Sequence, residues 1–285
     1  MAVRLRVHTD PACSASWAAE PRLRRLAVEF GASLDVTYVM GGLAREFEDL
    51  PGLVMSWLGH AAESGMPIDP RIWNGDSPRS SYPACIAFKA AAEQGRGAAT
   101  RYLRALREGF MCHRRKLDGP EALMELARIV GLDVTRFRID LESNAILESF
   151  GNDLEATRTI PEAAREAGLA TEGSHGSSVE RLQFPALWFG GEPGSPEPGH
   201  WVGDDHPYEA WREAAIAAGG TPGDEPWPDV PEALRRFGPQ GVATAELEAV
   251  CDLPGPRAGA EAWRLASDWR VKRVPVLGSE LWEPV

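Results

Sequence analysis

The sequence predicts an α/β chain with an all-helical block spliced into its middle. Three observations carry that expectation: a β-α-β opening, helical spacing from Ser81 to about Ala167, and a β-β-α return over residues 182–218. A strand–helix–strand opening favours parallel strands with a right-handed crossover.

Val3, Leu5 and Val7 alternate with charged residues, the period of a strand. After the polar break His8-Thr9-Asp10-Pro11, a helix is expected from about Cys13 to Phe30, with Trp17, Leu23, Leu26 and Phe30 apolar and Gly31 ending it. Leu34, Val36, Tyr38 and Met40 alternate again. Residues 41–78 hold several Gly and Pro and no long periodic run, so they read as a long loop with one short helix at most.

From Ser81 the pattern changes. Apolar sets such as Cys85-Phe88-Ala92, Tyr102-Leu103-Leu106-Phe110 and Leu123-Leu126-Ala127-Val130 recur at helical spacing, broken at Gly95, Gly119-Pro120, Gly131 and Gly168. About five helices are expected. Gln183–Phe189 then reads as a strand, Gly190–Gly199 as a hairpin loop, His200–Gly203 as a returning strand and Pro207–Ala218 as a helix. The Pro- and Gly-rich stretch between Gly219 and Pro231 reads as a linker. Beyond it, three short helices and a terminal hairpin suggest a small separate winged-helix-like unit over residues 230–285, with Trp263, Trp269 and Trp282 mainly in its core.

Composition narrows the function. Of 285 residues, 42 are acidic and 30 basic, a net charge of −12, so nucleic acid and anionic lipid are poor partners. The last unit has seven basic residues against eight acidic, and its third helix lacks a clean basic face, so protein contact or packing on the main domain is expected there. No apolar run reaches the ~20 residues of a membrane span, and the N-terminus lacks the apolar core of a secretory signal, so a cytoplasmic location is expected. The four cysteines are scattered without a Cys-x-x-Cys pair, which argues against a disulfide framework or a structural zinc site.

Chemistry concentrates near the first helix. Thr9-Asp10-Pro11-Ala12-Cys13-Ser14-Ala15-Ser16-Trp17, followed by Glu20-Pro21, resembles the active-site stretch of the DsbA-like family of thioredoxin-fold thiol–disulfide oxidoreductases, in the branch of FrnE-like proteins and 2-hydroxychromene-2-carboxylate isomerases. Ser80-Ser81-Tyr82-Pro83-Ala84-Cys85 is similar to that family's first inserted helix, and Phe184-Pro185 falls where it has a cis-proline. The resemblance covers residues 3–218 and implies a thioredoxin fold in two parts, 1–78 and 171–220, around an inserted helical domain, 79–170. It also implies Cys13 and Ser16 as the catalytic pair, with Pro11, Ser14, Trp17, Phe184 and Pro185 contacting substrate. A cis bond at Pro185 is expected to turn the Phe184 backbone outward, able to pair with an extended peptide.

A cysteine at a helix's first turn faces unpaired N–H groups and the positive end of the dipole, which lowers such thiols to roughly pH 3.5–7.5. The departure from the family lies at Ser16, which stands where the second cysteine belongs. A hydroxyl cannot resolve a mixed disulfide, so the expected activity is monothiol chemistry on a protein disulfide or mixed disulfide. No resident cofactor or metal is expected; glutathione or another low-molecular-weight thiol would complete the cycle. Two alternatives stand beside it: a glutathione-dependent transferase or isomerase resembling the kappa class, using Ser14 or Ser16, and a non-catalytic adaptor.

Other candidates have structural readings. Cys85 lies on an apolar helical stripe and reads as a core thiol rather than a resolving one, and Cys112 and Cys251 read likewise. The run His113-Arg114-Arg115-Lys116 reads as a solvated helix end, Asp204-Asp205-His206 as a helix cap and Gly173–Ser177 as a flexible loop.

Overall fold

A computed structural model describes residues 2–172, 179–190, 199–238 and 240–285 of the chain. The expected loop at Gly173–Ser177 and the interior of the expected 190–199 hairpin loop lie outside the described residues. Strand β1 (Val3–Thr9) runs parallel to β2 (Leu34–Met40), from Val3 opposite Leu34 to Thr9 opposite Met40. On its other side β1 pairs antiparallel with the later strand Ala186–Gly190, and that strand pairs with His200–Gly203. The alternation read from the sequence faces inward: Val3, Leu5 and Val7 bury against Leu23, Leu26 and Phe30 and against Trp211.

The single helix expected over Cys13–Phe30 is two, α1 (Ser14–Ala18) and α2 (Glu20–Phe30). Pro21 is the cause: it has no N–H to continue the preceding ladder, yet suits the first turn of a new helix. The expected loop of residues 41–78 contains a fifteen-residue helix, α3 (Leu50–Ser64), capped by Asp49 through the Gly52 amide at 3.0 Å. It buries only Leu53 and Trp57, one turn apart, too sparse a stripe to register as helical spacing.

The helical block holds six helices, not five: α4 (Tyr82–Ala92), α5 (Arg96–Met111), α6 (Pro120–Ile129), α7 (Val134–Leu141), α8 (Asn144–Arg158) and α9 (Glu162–Glu166). The chain then forms a small antiparallel ribbon, β3 (Ala170–Thr171) with β4 (Arg181–Leu182). It returns to the main sheet as β5 (Ala186–Gly190) and β6 (His200–Gly203), giving the order β2-β1-β5-β6, and closes with α10 (Tyr208–Ala217). Pro207 caps α10 with no side-chain bond, so Asp204-Asp205-His206 is not the helix cap the sequence suggested.

The C-terminal unit comprises α11 (Val230–Phe237), β7 (Val242–Ala243), α12 (Thr244–Val250), α13 (Pro256–Ser267), β8 (Val271–Val276) and β9 (Ser279–Pro284), with sheet order β7-β9-β8. Trp282 is in its core with Leu234, Leu247 and Leu265. Trp263 and Trp269 are not: Trp263 is half exposed and Trp269 is 85% exposed.

The unit is not separate. The stretch expected to be a linker lies along α2, where the Ser33 hydroxyl donates to the Thr221 carbonyl at 2.6 Å and the Gly223 amide to that of Glu29 at 2.7 Å. Deeper in, Glu246 of α12 is wholly buried and accepts from Arg104 of α5 at 2.6 and 2.9 Å, while Arg24 of α2 reaches it at 3.0 Å. Arg104 also donates to Glu108 at 2.6 Å, and Arg107 pairs with Glu20. Three carboxylates and three guanidiniums thus join the sheet domain, the insert and the terminal unit in one buried network. The Glu20-Pro21 dipeptide of the motif is part of that joint. Among the described residues no helix is long and apolar enough to cross a membrane.

Candidate functional site

The carboxyl end of β1 delivers Asp10 and Cys13 to the start of α1. Asp10 is fully buried and its carboxylate is saturated. It accepts from the Ala12 amide at 2.8 Å, the Leu43 amide at 2.6 Å, the Ser81 hydroxyl at 2.7 Å and the Cys85 thiol at 3.2 Å. One side chain therefore fixes the loop before Cys13, the segment after β2 and the first inserted helix. Cys85 is a core thiol, as its apolar stripe suggested, raised well above its ordinary range by burial and by Asp10. All four cysteines are free thiols.

Cys13 is the N-cap of α1. Its sulfur accepts from the Ser16 amide at 3.4 Å and donates its own proton to the Phe184 carbonyl at 3.6 Å. The residue is 6% exposed. Burial pushes the thiol up, and the carboxylates of Asp10 and Asp204 push the same way, against the lowering by the Ser16 amide and hydroxyl. This corrects the lowered pKa expected from the helix end alone. The dipole is present, but α1 is one short turn, and loss of water around the sulfur outweighs it.

Other predicted contacts move too. Ser16 is completely buried beside Cys13, where its hydroxyl makes no well-formed hydrogen bond and reaches no ligand surface. Pro11 is buried. Trp17 belongs to the core, its indole N–H donating to the Pro67 carbonyl at 2.9 Å and its ring lying 4.3 Å from the Arg104 guanidinium. None of these three is placed to touch a substrate. The Phe184–Pro185 peptide is cis. The Phe184 carbonyl, however, faces Cys13 instead of opening outward to a peptide, because the protonated sulfur takes it up. Its ring packs against Gly41, where a Cβ would come within 2.0 Å of it, and lies 4.2 Å from the Arg181 guanidinium.

Cys13 and Phe184 sit on the floor of an open groove of about 490 Å³, walled by Ser14, His60, Arg181 and Asp204. The Ser14 hydroxyl and His60 Nδ1 are 2.8 Å apart. Burial pushes the His60 imidazole down, so it is neutral at pH 7. Asp204 is held by Gln183 at 3.4 Å, and burial raises its carboxyl. Sequence reasoning missed His60 because it lies on α3, and missed Arg181 because the ribbon that carries it is two residues long. It noticed Asp204 but gave it a capping role. Among the described residues no cluster of three His, Cys, Asp or Glu could hold a metal ion. The groove therefore offers a shallow bed of hydrogen-bonding groups around one buried thiol whose pKa is raised, with no second cysteine in its lining.

A β-α-β opening, a helical insert and a β-β-α return with a cis-proline beside a helix-capping cysteine define a thioredoxin-fold protein. The thioredoxin family profile Thioredoxin_5 matches residues 7–161, and the chain belongs to that family. It is similar to proteins named ClpXP adapter protein SpxH. The one from Halalkalibacterium halodurans is 32% identical over 164 residues, 53% of this chain and 53% of that protein, so the match spans about half of that relative. The one from Bacillus subtilis is 25% identical over 281 residues, 96% of this chain and 86% of that protein. Among solved structures, the cytosolic disulfide reductase DsbM from Pseudomonas aeruginosa, solved with GSH, has a TM-score of 0.53 at 18% identity. That superposition covers 75% of this chain and 99% of the other, a likeness of fold.

Proposed function

We propose that this chain is a protein-binding adapter that uses the groove beside Cys13 to hold a client polypeptide and does not turn over disulfides. The observation that carries the reading is the state of Cys13. Its sulfur is buried, protonated toward the Phe184 carbonyl and paired with Ser16 where a resolving thiol would stand. The similarity to ClpXP adapter proteins along nearly the whole chain supports the same reading. The client segment contacts Ser14, His60, Arg181 and Asp204. The C-terminal unit, held to α2 and α5 through Glu246, forms part of the same platform.

The test is whether the groove is needed and the sulfur is not. Tagged wild type, Cys13→Ser and Ser56→Trp, which fills the groove from the α3 wall, are compared by quantitative mass spectrometry of co-purified proteins under reducing and non-reducing conditions. The adapter reading expects Cys13→Ser to retain the wild-type partners and Ser56→Trp to lose them. Partners held through Cys13 disulfides, released by reductant and absent from Cys13→Ser, would restore monothiol chemistry with an external thiol. Calorimetric binding of glutathione, abolished by Ser14→Ala, would favour the kappa-class alternative.

A further inference from the structure

Helix α3 is apolar on two opposite sides. Leu53 and Trp57 face the core, whereas Pro51, Met55, Leu58 and Ala62 fall on the reverse side and all are exposed. Met55 is 70% exposed and Leu58 41%. Their spacing of four, three and four residues makes one continuous stripe along a helix. A helix apolar all round is ordinarily buried all round. Here one face lies open to solvent.

The charges around the stripe indicate what covers it. Glu46, Glu48 and Asp49 are exposed just ahead of the helix and Glu63 is exposed at its far end, with Arg45 the basic residue among them. Among the described residues none of these four carboxylates is in an ion pair. Arg71, which shares the shallow cleft beside Leu50, Pro51 and Val54, is neutralised by Asp69 at 2.6 Å. The patch is thus an apolar ridge with acidic ends. An anionic bilayer is repelled by such a rim, and a second copy of the same face brings like charges together. An amphipathic helix with basic ends satisfies both the ridge and the rim. Methionine suits that contact, since its unbranched side chain adapts to the partner's shape.

We propose that the outward face of α3 docks an amphipathic α-helix of a partner protein, with apolar residues along Met55 and Leu58 and Lys or Arg flanking them. The apolar ridge lies on the crest of α3, and none of Pro51, Met55, Leu58 and Ala62 lines the Cys13 groove, which meets this surface only at Asp49 of the rim, so the ridge can be tested apart from the adapter reading. A displayed library of random sixteen-residue peptides is selected on the full-length protein and counter-selected on Met55→Glu/Leu58→Glu. Both changes are at exposed positions and leave the core intact. The expected winners carry an apolar i, i+4, i+7 pattern with basic flanks. By fluorescence anisotropy they bind wild type at least about tenfold tighter than the double variant. Replacing their flanking basic residues by Glu, or inserting a central Pro, abolishes binding, and Ser56→Trp leaves it unchanged. No differential enrichment, or winners that are acidic or extended, overturns the proposal. So does finding instead that the double variant removes binding to phosphatidylglycerol vesicles or removes self-association in sedimentation velocity.

Discussion

At the scale of single residues, Cys13 shows what a sequence discloses and what it withholds. Its place at a strand–helix junction and the missing second thiol were legible, because both depend on neighbours along the chain. The sign of its pKa change was not, because the desolvation comes from residues distant in sequence, with Phe184 and the α3 wall closing over it. Asp10 has a related lesson, since its four donors come from three chain segments. Asp10→Asn keeps the shape but strips acceptor capacity from buried donors, and should cost about 2–3 kcal/mol in urea unfolding. His8 is a second buried polar group, its Nδ1 unpaired and its imidazole pushed down to about 4 by burial and by Arg6. Above about pH 6.5 the ring is neutral whether folded or not. As pH falls from there toward 4, the unfolded chain takes up a proton that the folded chain refuses, so stability drops, by up to about 3 kcal/mol. His8→Phe should flatten that part of the stability–pH curve relative to wild type, with denaturant midpoints at each pH as the readout.

At the scale of elements, the strands and most helices were readable because each buries one face with the period its geometry dictates. Helix α3 escaped for a physical reason. A stripe on each side cancels the amphipathic signal, and Pro51, Gly52 and Gly59 give it a loop-like composition. The element that hid from periodicity supplies both His60 of the groove and the exposed ridge, so much of the candidate site was hidden with it. The two stripes predict opposite mutational responses. Trp57→Ala empties a site packed against Trp73 with ring centroids 5.1 Å apart, and should lower stability by about 3–5 kcal/mol. Met55→Ala, on the exposed face, should change it by no more than about 0.5 kcal/mol. Thermal and urea denaturation of the two variants measures both.

At the scale of the whole molecule, the order of parts was legible but their joining was not. Proline and glycine content marks residues 219–231 as a connector, yet nothing local indicates that Ser33, Glu29 and Arg25 hold it down. Nor does spacing reveal that Glu246, 142 positions from Arg104, completes a buried charge network. That network ties α2, α5 and α12 together through buried ion pairs. Glu246→Ala removes the nearest carboxylate from both Arg104 and Arg24 and leaves two buried guanidiniums to share Glu20 and Glu108, and removing one partner of such a buried set costs about 3–5 kcal/mol. The expected result is a lower denaturation midpoint with early release of the C-terminal unit, seen as faster amide exchange in α11–α13 than in β1.

The adapter function requires Cys13 to be a protonated, sheltered thiol in a binding groove. Its rate of alkylation by iodoacetamide, followed by mass spectrometry on the native protein from pH 5 to 10, tests this directly. The expected result is slow modification with an inflection above the free-thiol value of about 8.5. Rapid modification with an inflection below about 7 would show a stabilised thiolate, and would make this protein a thiol catalyst after all.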